Sequence, residues 1–167
     1  MKKEFSLKRT LKTSAVILTV YFAALFIFCQ FWGIGHVPSE SMAPTYEVGD
    51  FLLTDKTDKD IARGDVIVFT TTEGSEDGKE EYFLKRVVAV EGDVVTINFG
   101  RVFINGCAVE ESYLPEGTYT QAGNNNKYVV PVGCVFVLGD NREHSLDSRY
   151  FNNPFVNIED VFGTVIK

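Results

Sequence analysis

The chain has 167 residues, of which 45% are hydrophobic, and its 16 basic and 23 acidic residues leave a formal charge of −7. It is long enough for one domain with its own core and too short for two ordinary domains beside any further segment. A net-acidic chain repels a phosphate backbone, which proteins hold mainly through clustered Lys and Arg, so no nucleic-acid partner is expected.

Residues 1–13 form a basic start in which Lys2, Lys3, Lys8, Arg9 and Lys12 face only Glu4. No charged residue follows until Glu40, and the run from Ala15 to Trp32 is almost wholly aliphatic and aromatic. At about 1.5 Å per residue, the roughly 20 residues from Ser14 to Gly33 cover the roughly 30 Å hydrocarbon core of a bilayer, so 14–33 is expected to be a membrane anchor. A buried soluble helix and a cleavable signal are the alternatives. The stretch exceeds the usual roughly 7–15 residues of a signal, and a cut at Ala23-Ala24 would leave the apolar terminus Leu25 to Trp32. Positive flanks stay cytoplasmic, which puts the remainder outside. With five basic and one acidic residue spent before the span, that remainder keeps 11 basic against 22 acidic residues, a formal −11.

After the anchor, β signals dominate: Phe51 to Thr54, Asp65 to Thr71, Tyr82 to Val90, Val94 to Phe99, Val102 to Ile104, Tyr128 to Val130 and Cys134 to Leu138. Branched and aromatic residues alternate with turn signals at Gly92-Asp93, Asn105-Gly106 and Pro131-Val132-Gly133. Thr71 to Glu81 and Thr118 to Lys127 read as exposed loops. The fold class expected is mainly β: one N-terminal transmembrane helix followed by an irregular antiparallel β domain over 34–167. Phe51, Leu52 and Leu53 either rest on the outer leaflet or pack into the core. Cys107 and Cys134 could pair outside the cytoplasm, but two buried free thiols are the more ordinary outcome. No metal is implied by cysteine spacing, and no cofactor by any phosphate-cradling loop.

A serine hydroxyl needs a base to become a nucleophile, and histidines, carboxylates or a neutral lysine could serve. Ser41 stands in Pro38-Ser39-Glu40-Ser41-Met42-Ala43-Pro44-Thr45, just beyond the apolar run. Lys85 sits in the β-patterned Tyr82 to Val90, where burial would lower its pKa and leave part of it neutral near pH 7–8. Taken alone, Lys85 is as well read as an exposed strand guard and Ser41 as a turn residue.

These segments stand in order with Arg63-Gly64-Asp65-Val66-Ile67-Val68-Phe69, Phe83-Leu84-Lys85-Arg86 through Gly92-Asp93, and Gly139-Asp140-Asn141-Arg142-Glu143-His144-Ser145-Leu146-Asp147-Ser148-Arg149. Together they resemble the bacterial type I signal peptidases of the short Gram-positive type, over about residues 1–149. The resemblance implies Ser41 as nucleophile, Lys85 as general base, and an oxyanion hole from the Ser41 N–H and the Ser39 hydroxyl. It further implies that Ser145 orients the lysine, that Asp147 with Arg149 and Asp140 with Arg86 brace the site, and that Val37, Pro38, Met42, Phe83 and Leu84 line pockets for small side chains. The implied partners are signal peptides of exported preproteins, cut after Ala-x-Ala, and the lipid bilayer. A Ser41/His144/Asp147 triad is the rival arrangement, and His36 carries no implied chemistry. The chain departs from the family pattern at His144, at Phe151-Asn152-Asn153-Pro154 and at Cys107, which leaves room for a specialised or noncatalytic relative in surface-protein or pilus assembly.

Overall fold

A computed structural model describes the backbone of residues 2–166 and the side chains of residues 11–166. The chain divides into two units, Met1–Trp32 and Gly33–Lys167. The first is helix α1, Lys2–Phe31. Within it, the 21 residues Leu11–Phe31 have a mean hydropathy of 2.1, long and apolar enough to cross a membrane. The helix ends two residues before the boundary expected from the sequence, because Gly33 and Gly35 disfavour helix and the chain from Trp32 is already extended.

The second unit is built from antiparallel strands. The strands are β1 (Trp32–His36), β2 (Phe51–Asp55), β3 (Val66–Thr71), β4 (Glu81–Val90), β5 (Val94–Asn98), β6 (Arg101–Ile104), β7 (Cys107–Ala108), β8 (Lys127–Val129), β9 (Cys134–Leu138), β10 (Val156–Asn157) and β11 (Val161–Val165). One sheet of seven runs β1-β2-β11-β3-β4-β9-β10, and one of four runs β7-β6-β5-β8. The expected mainly β domain is present, with four strands that pattern alone did not mark: β1, β7, β10 and β11. β10 and β7 are two-residue pairings, and Val161–Val165 contains a glycine that weakens its pattern, yet it fills the gap between β2 and β3. Phe99, expected to end a strand, instead occupies the β5–β6 turn at φ 52°.

Alternation along the central strands explains how the large sheet is buried on both faces. On β9, Phe136 and Leu138 turn toward the small sheet and pack with Val95, Ile97, Val102 and Ile104. Val135 and Val137 turn the other way, toward Ile67, Phe69, Val87 and Phe151. A third cluster joins Val37 and Met42 to Leu52, Val66, Leu84 and Val165, and it supports the segment carrying Ser41. Leu52 is therefore a core residue, whereas Phe51 is 86% exposed and Leu53 also faces outward. Both cysteines of this unit are free thiols; Cys134 is buried, but Cys107 is exposed rather than buried, because it lies on the short outer strand β7.

The Phe151 to Pro154 departure is accommodated. Phe151 packs its ring against Phe69 and Phe83, and Glu73 accepts hydrogen bonds from the backbone and side chain of Asn152 and from the Asn153 N–H.

Candidate active site

Ser41 is held at the tip of a closed loop. Its base is pinned by the Val37 N–H donating to Asp50 O at 2.9 Å and the Gly49 N–H donating to Val37 O at 2.9 Å. Glu40–Met42 form a single 3-10 turn, and burial of Met42 beside Leu84 turns Ser41 toward β4. The Ser39 hydroxyl donates to Ser41 Oγ at 3.2 Å.

Lys85 reaches Ser41 from β4. Its Nζ lies 2.8 Å from Ser41 Oγ and 3.0 Å from Leu84 O, and 5.1 Å from the centre of the Phe83 ring. Lys85 is only 4% exposed and Ser41 7%. Burial pulls the amine down from 10.5 to about 8, against the negative charges of Asp147 and Asp140, which pull it up. A large fraction is thus neutral at mildly alkaline pH, and a neutral amine can accept the serine proton.

The next residue, Arg86, donates from Nε to Asp140 Oδ1 at 2.8 Å and from Nη2 to Asp140 Oδ2 at 2.6 Å, with Nη1 on Gly64 O at 2.9 Å. Arg149 grips Asp147 in the same two-pronged way, with Nε and Nη2 each 2.8 Å from a carboxylate oxygen. Asp147 also accepts the Gly139 N–H at 3.0 Å. Gly139 matters because a Cβ there would stand 2.5 Å from Ser41 O and 2.2 Å from Ser145 Oγ; only glycine lets the Ser41 loop approach so closely. The Asn141 N–H then donates to Ser41 O at 3.0 Å, and the Asn141 side chain to Glu40 O at 3.2 Å.

One expectation needs correction, and the rival triad is not formed. Ser145 is buried beside Gly139, but its hydroxyl has no hydrogen-bond partner among the described residues, so the implied bond to Lys85 is not made. The amine instead uses Ser41 Oγ and Leu84 O. His144 is exposed, with Nδ1 3.4 Å from Asn141 Oδ1, and both oxygens of Asp147 are taken by Arg149 and backbone N–H groups, so no Ser41/His144/Asp147 triad forms.

A cleft of about 360 Å³ opens over the serine and lysine, and Val37, Pro38, Met42, Phe83 and Leu84 are all among its lining residues, with Tyr82 and Leu146 added. A second, more apolar cleft of about 410 Å³ shares Pro38, Tyr82, Phe83 and Leu84, and includes His36 and Phe162. Pattern alone did not single out Asn141, Arg142, Glu111 or Tyr113. Arg142, wholly buried, donates to Gly139 O at 3.0 Å and to Thr120 Oγ1 at 2.6 Å, and pairs with Glu111. Its place inside the Gly139 to Arg149 motif was the available signal; its side-chain partners Glu111 and Thr120 lie too far away in sequence to be paired by inspection. Among the described residues no group of three or more His, Cys, Asp or Glu could hold a metal ion.

Residues 8–167 match the family model described as "Signal peptidase, peptidase S26". The chain is 36% identical to signal peptidase I of Bacillus caldolyticus over 84% of its own length and 79% of that protein's. It is 34% identical to signal peptidase I U of Bacillus subtilis over 94% and 87%, respectively. With signal peptidase I of Leptolyngbya laminosa it shares 37% identity over 78% of the chain, a match spanning 65% of that protein's length. Among solved structures, a signal peptidase I from Enterococcus faecalis aligns with a TM-score of 0.50 and 27% identity, covering 64% of this chain and 97% of that one.

Proposed function

The chain belongs to the signal peptidase, peptidase S26, family, and from that membership we propose that it is a membrane-anchored serine endopeptidase that removes signal peptides from exported precursors. The observation that carries this reading is the 2.8 Å approach of a buried lysine, with its pKa lowered to about 8, to the Ser41 hydroxyl. Ser41 Oγ attacks the scissile carbonyl carbon while its proton passes to Lys85 Nζ. The Ser41 N–H and the Ser39 hydroxyl stabilise the resulting oxyanion. Collapse breaks the C–N bond, Lys85 returns the proton to the departing amine, and an ester remains on Ser41. Water attacks that ester with Lys85 again taking the proton, which goes back to Ser41 Oγ as the acid leaves.

The geometry of β4 supports an extended substrate. Glu81 to Lys85 pair with β3 on one side, whereas pairing with β9 begins only at Arg86. The other edge of 81–85 is therefore open to a peptide strand beside Ser41. In such a strand, alternate side chains point the same way, so the residues one and three before the cut turn together toward apolar walls formed by Val37, Met42, Phe83 and Leu84. Walls of this kind favour small residues, consistent with Ala-x-Ala.

Helix α1 supplies the anchor over Leu11–Phe31, its basic flank stays cytoplasmic, and the catalytic unit Gly33–Lys167 works outside, at the cell membrane. Outward-facing Phe51 and Leu53 are suited to contact with lipid. The test is cleavage of a model secretory precursor in detergent micelles, with the new amino terminus read by mass spectrometry. Cleavage after Ala-x-Ala by the wild type and none by Ser41→Ala is the expected result; an unchanged rate in Ser41→Ala would sink the reading.

A further inference from the structure

The long segment after β7 has no regular structure, yet two of its side chains reach the back of the catalytic loop. Glu111 receives both Nη atoms of Arg142, while the Tyr113 hydroxyl donates to Glu111 Oε1 at 2.8 Å. The Tyr113 ring lies 4.0 Å from the Arg86 guanidinium carbon. Arg142 and Arg86 are the two arginines that flank Asp140: the first holds Gly139 O, the second holds the Asp140 carboxylate. Further along the same segment, Thr120 takes another Arg142 donor, and Gly123 passes so close to Arg149 that a Cβ would meet its carbonyl oxygen at 2.4 Å.

We propose that Glu111 and Tyr113 form a clasp that positions the catalytic loop, fixing Arg142 and Arg86 so that Gly139 and Asn141 hold the Ser41 backbone against Lys85. The clasp touches no substrate; it acts through Arg142. Three links connect it to the nucleophile: Glu111 to the Arg142 guanidinium, Arg142 Nε to Gly139 O, and the Asn141 N–H to Ser41 O at 3.0 Å. Each link is short and buried or partly buried, where a charge-assisted hydrogen bond is strong and its loss leaves a buried guanidinium short of acceptors. Displacing a nucleophile by about 1 Å can cost about 10²-fold in rate without any change in binding.

The proposal rests on the peptidase reading for its kinetic consequence but not for its structural one, so two readouts are needed. In the full chain in detergent, Glu111→Ala is expected to lower kcat by about 10–100-fold with KM within about twofold. Tyr113→Phe, which removes one donor to Glu111, should cost a few-fold. Glu111→Gln keeps one oxygen that Arg142 Nη2 and the Tyr113 hydroxyl can share but sets an NH2 group against Arg142 Nη1 and removes the charge, so it should recover only part of the loss. Hydrogen exchange should show the Asn141 amide of Glu111→Ala opening about tenfold faster or more, while amides of β3, β4 and β9 keep their wild-type rates. Unchanged exchange at Asn141, sheet amides accelerating in step with it, a change in KM alone, or faster exchange with wild-type kcat would each overturn the proposal. Should the wild type leave the precursor uncut, the peptidase reading fails, and the exchange comparison still decides whether the clasp holds the loop.

Discussion

Lys85 and Arg86 are consecutive on β4 and almost equally buried, at 4% and 5% exposure, yet the two faces of the strand treat their charges in opposite ways. Arg86 meets both carboxylate oxygens of Asp140 and remains a fixed cation. Lys85 has no ion-pair partner among the described residues and meets a hydroxyl and a carbonyl instead, so burial lowers its proton affinity to about 8. A buried cation with a counter-charge is fixed as a strut; one without can serve as a base, the role proposed for Lys85.

The comparison breaks most sharply at the lysine itself. Lys85→Met should lower kcat on the order of 10⁴-fold or more, as loss of a general base does in serine hydrolases, measured on a precursor peptide. The same substitution should raise stability. A shift from 10.5 to about 8 corresponds to about 3 kcal/mol held against the folded state. Folding expels the proton between these values, so the cost is full below pH 8 and disappears as pH rises past 10.5. Denaturant unfolding at pH 7 and at pH 10.5 checks both sign and window.

At the strut the expected effect is the reverse: Asp140→Ala leaves the Arg86 guanidinium buried without its carboxylate and should destabilise by about 3–5 kcal/mol. Equal stability of this variant and the wild type would break the comparison. Ser39→Ala removes one hydroxyl beside Ser41 and should reduce kcat by about 10²–10³-fold with the melting temperature unchanged. The pH profile sharpens the comparison further, since kcat/KM should rise with pH to a limb near 8 and then level as Lys85 loses its proton. His144→Asn, at the exposed rim, should change kcat/KM by no more than about twofold.

Much of this arrangement could be read from residue pattern. The apolar helix and the seven patterned strands between Phe51 and Leu138 stand close to their expected places, because each carries a local signature of periodicity or turn chemistry; the meeting of Ser41 with Lys85 was an expectation of the family resemblance, since each residue alone reads as a turn serine or a strand lysine. β11 escaped notice because a strand of five residues with a central glycine is stabilised by neighbours on both sides rather than by its own composition. Glu111 and Tyr113 escaped for a related reason: Arg142 lies 31 residues from Glu111, and nothing in an exposed-looking loop announces which guanidinium it will meet. The loop from Thr118 to Lys127 likewise contains Thr120, buried by its role as an acceptor for Arg142. Ser145 shows the converse, a motif residue in its expected neighbourhood whose hydroxyl bonds to nothing described.

The half-paired edge of β4 has one more consequence. From Glu81 to Lys85 the strand offers backbone groups on the side that β9 leaves uncovered, and such an edge can join only to a backbone that is itself unpaired. A segment wound into a helix has already spent its N–H and C=O groups internally, and one folded into a finished sheet has done the same. On the proposed docking of the precursor at this edge, conformation would act as a filter ahead of side-chain fit: among precursors with identical residues around the cut, those that remain unwound there for longer after export would be met more often. Timing, set by how fast the cargo folds, would then become part of the specificity.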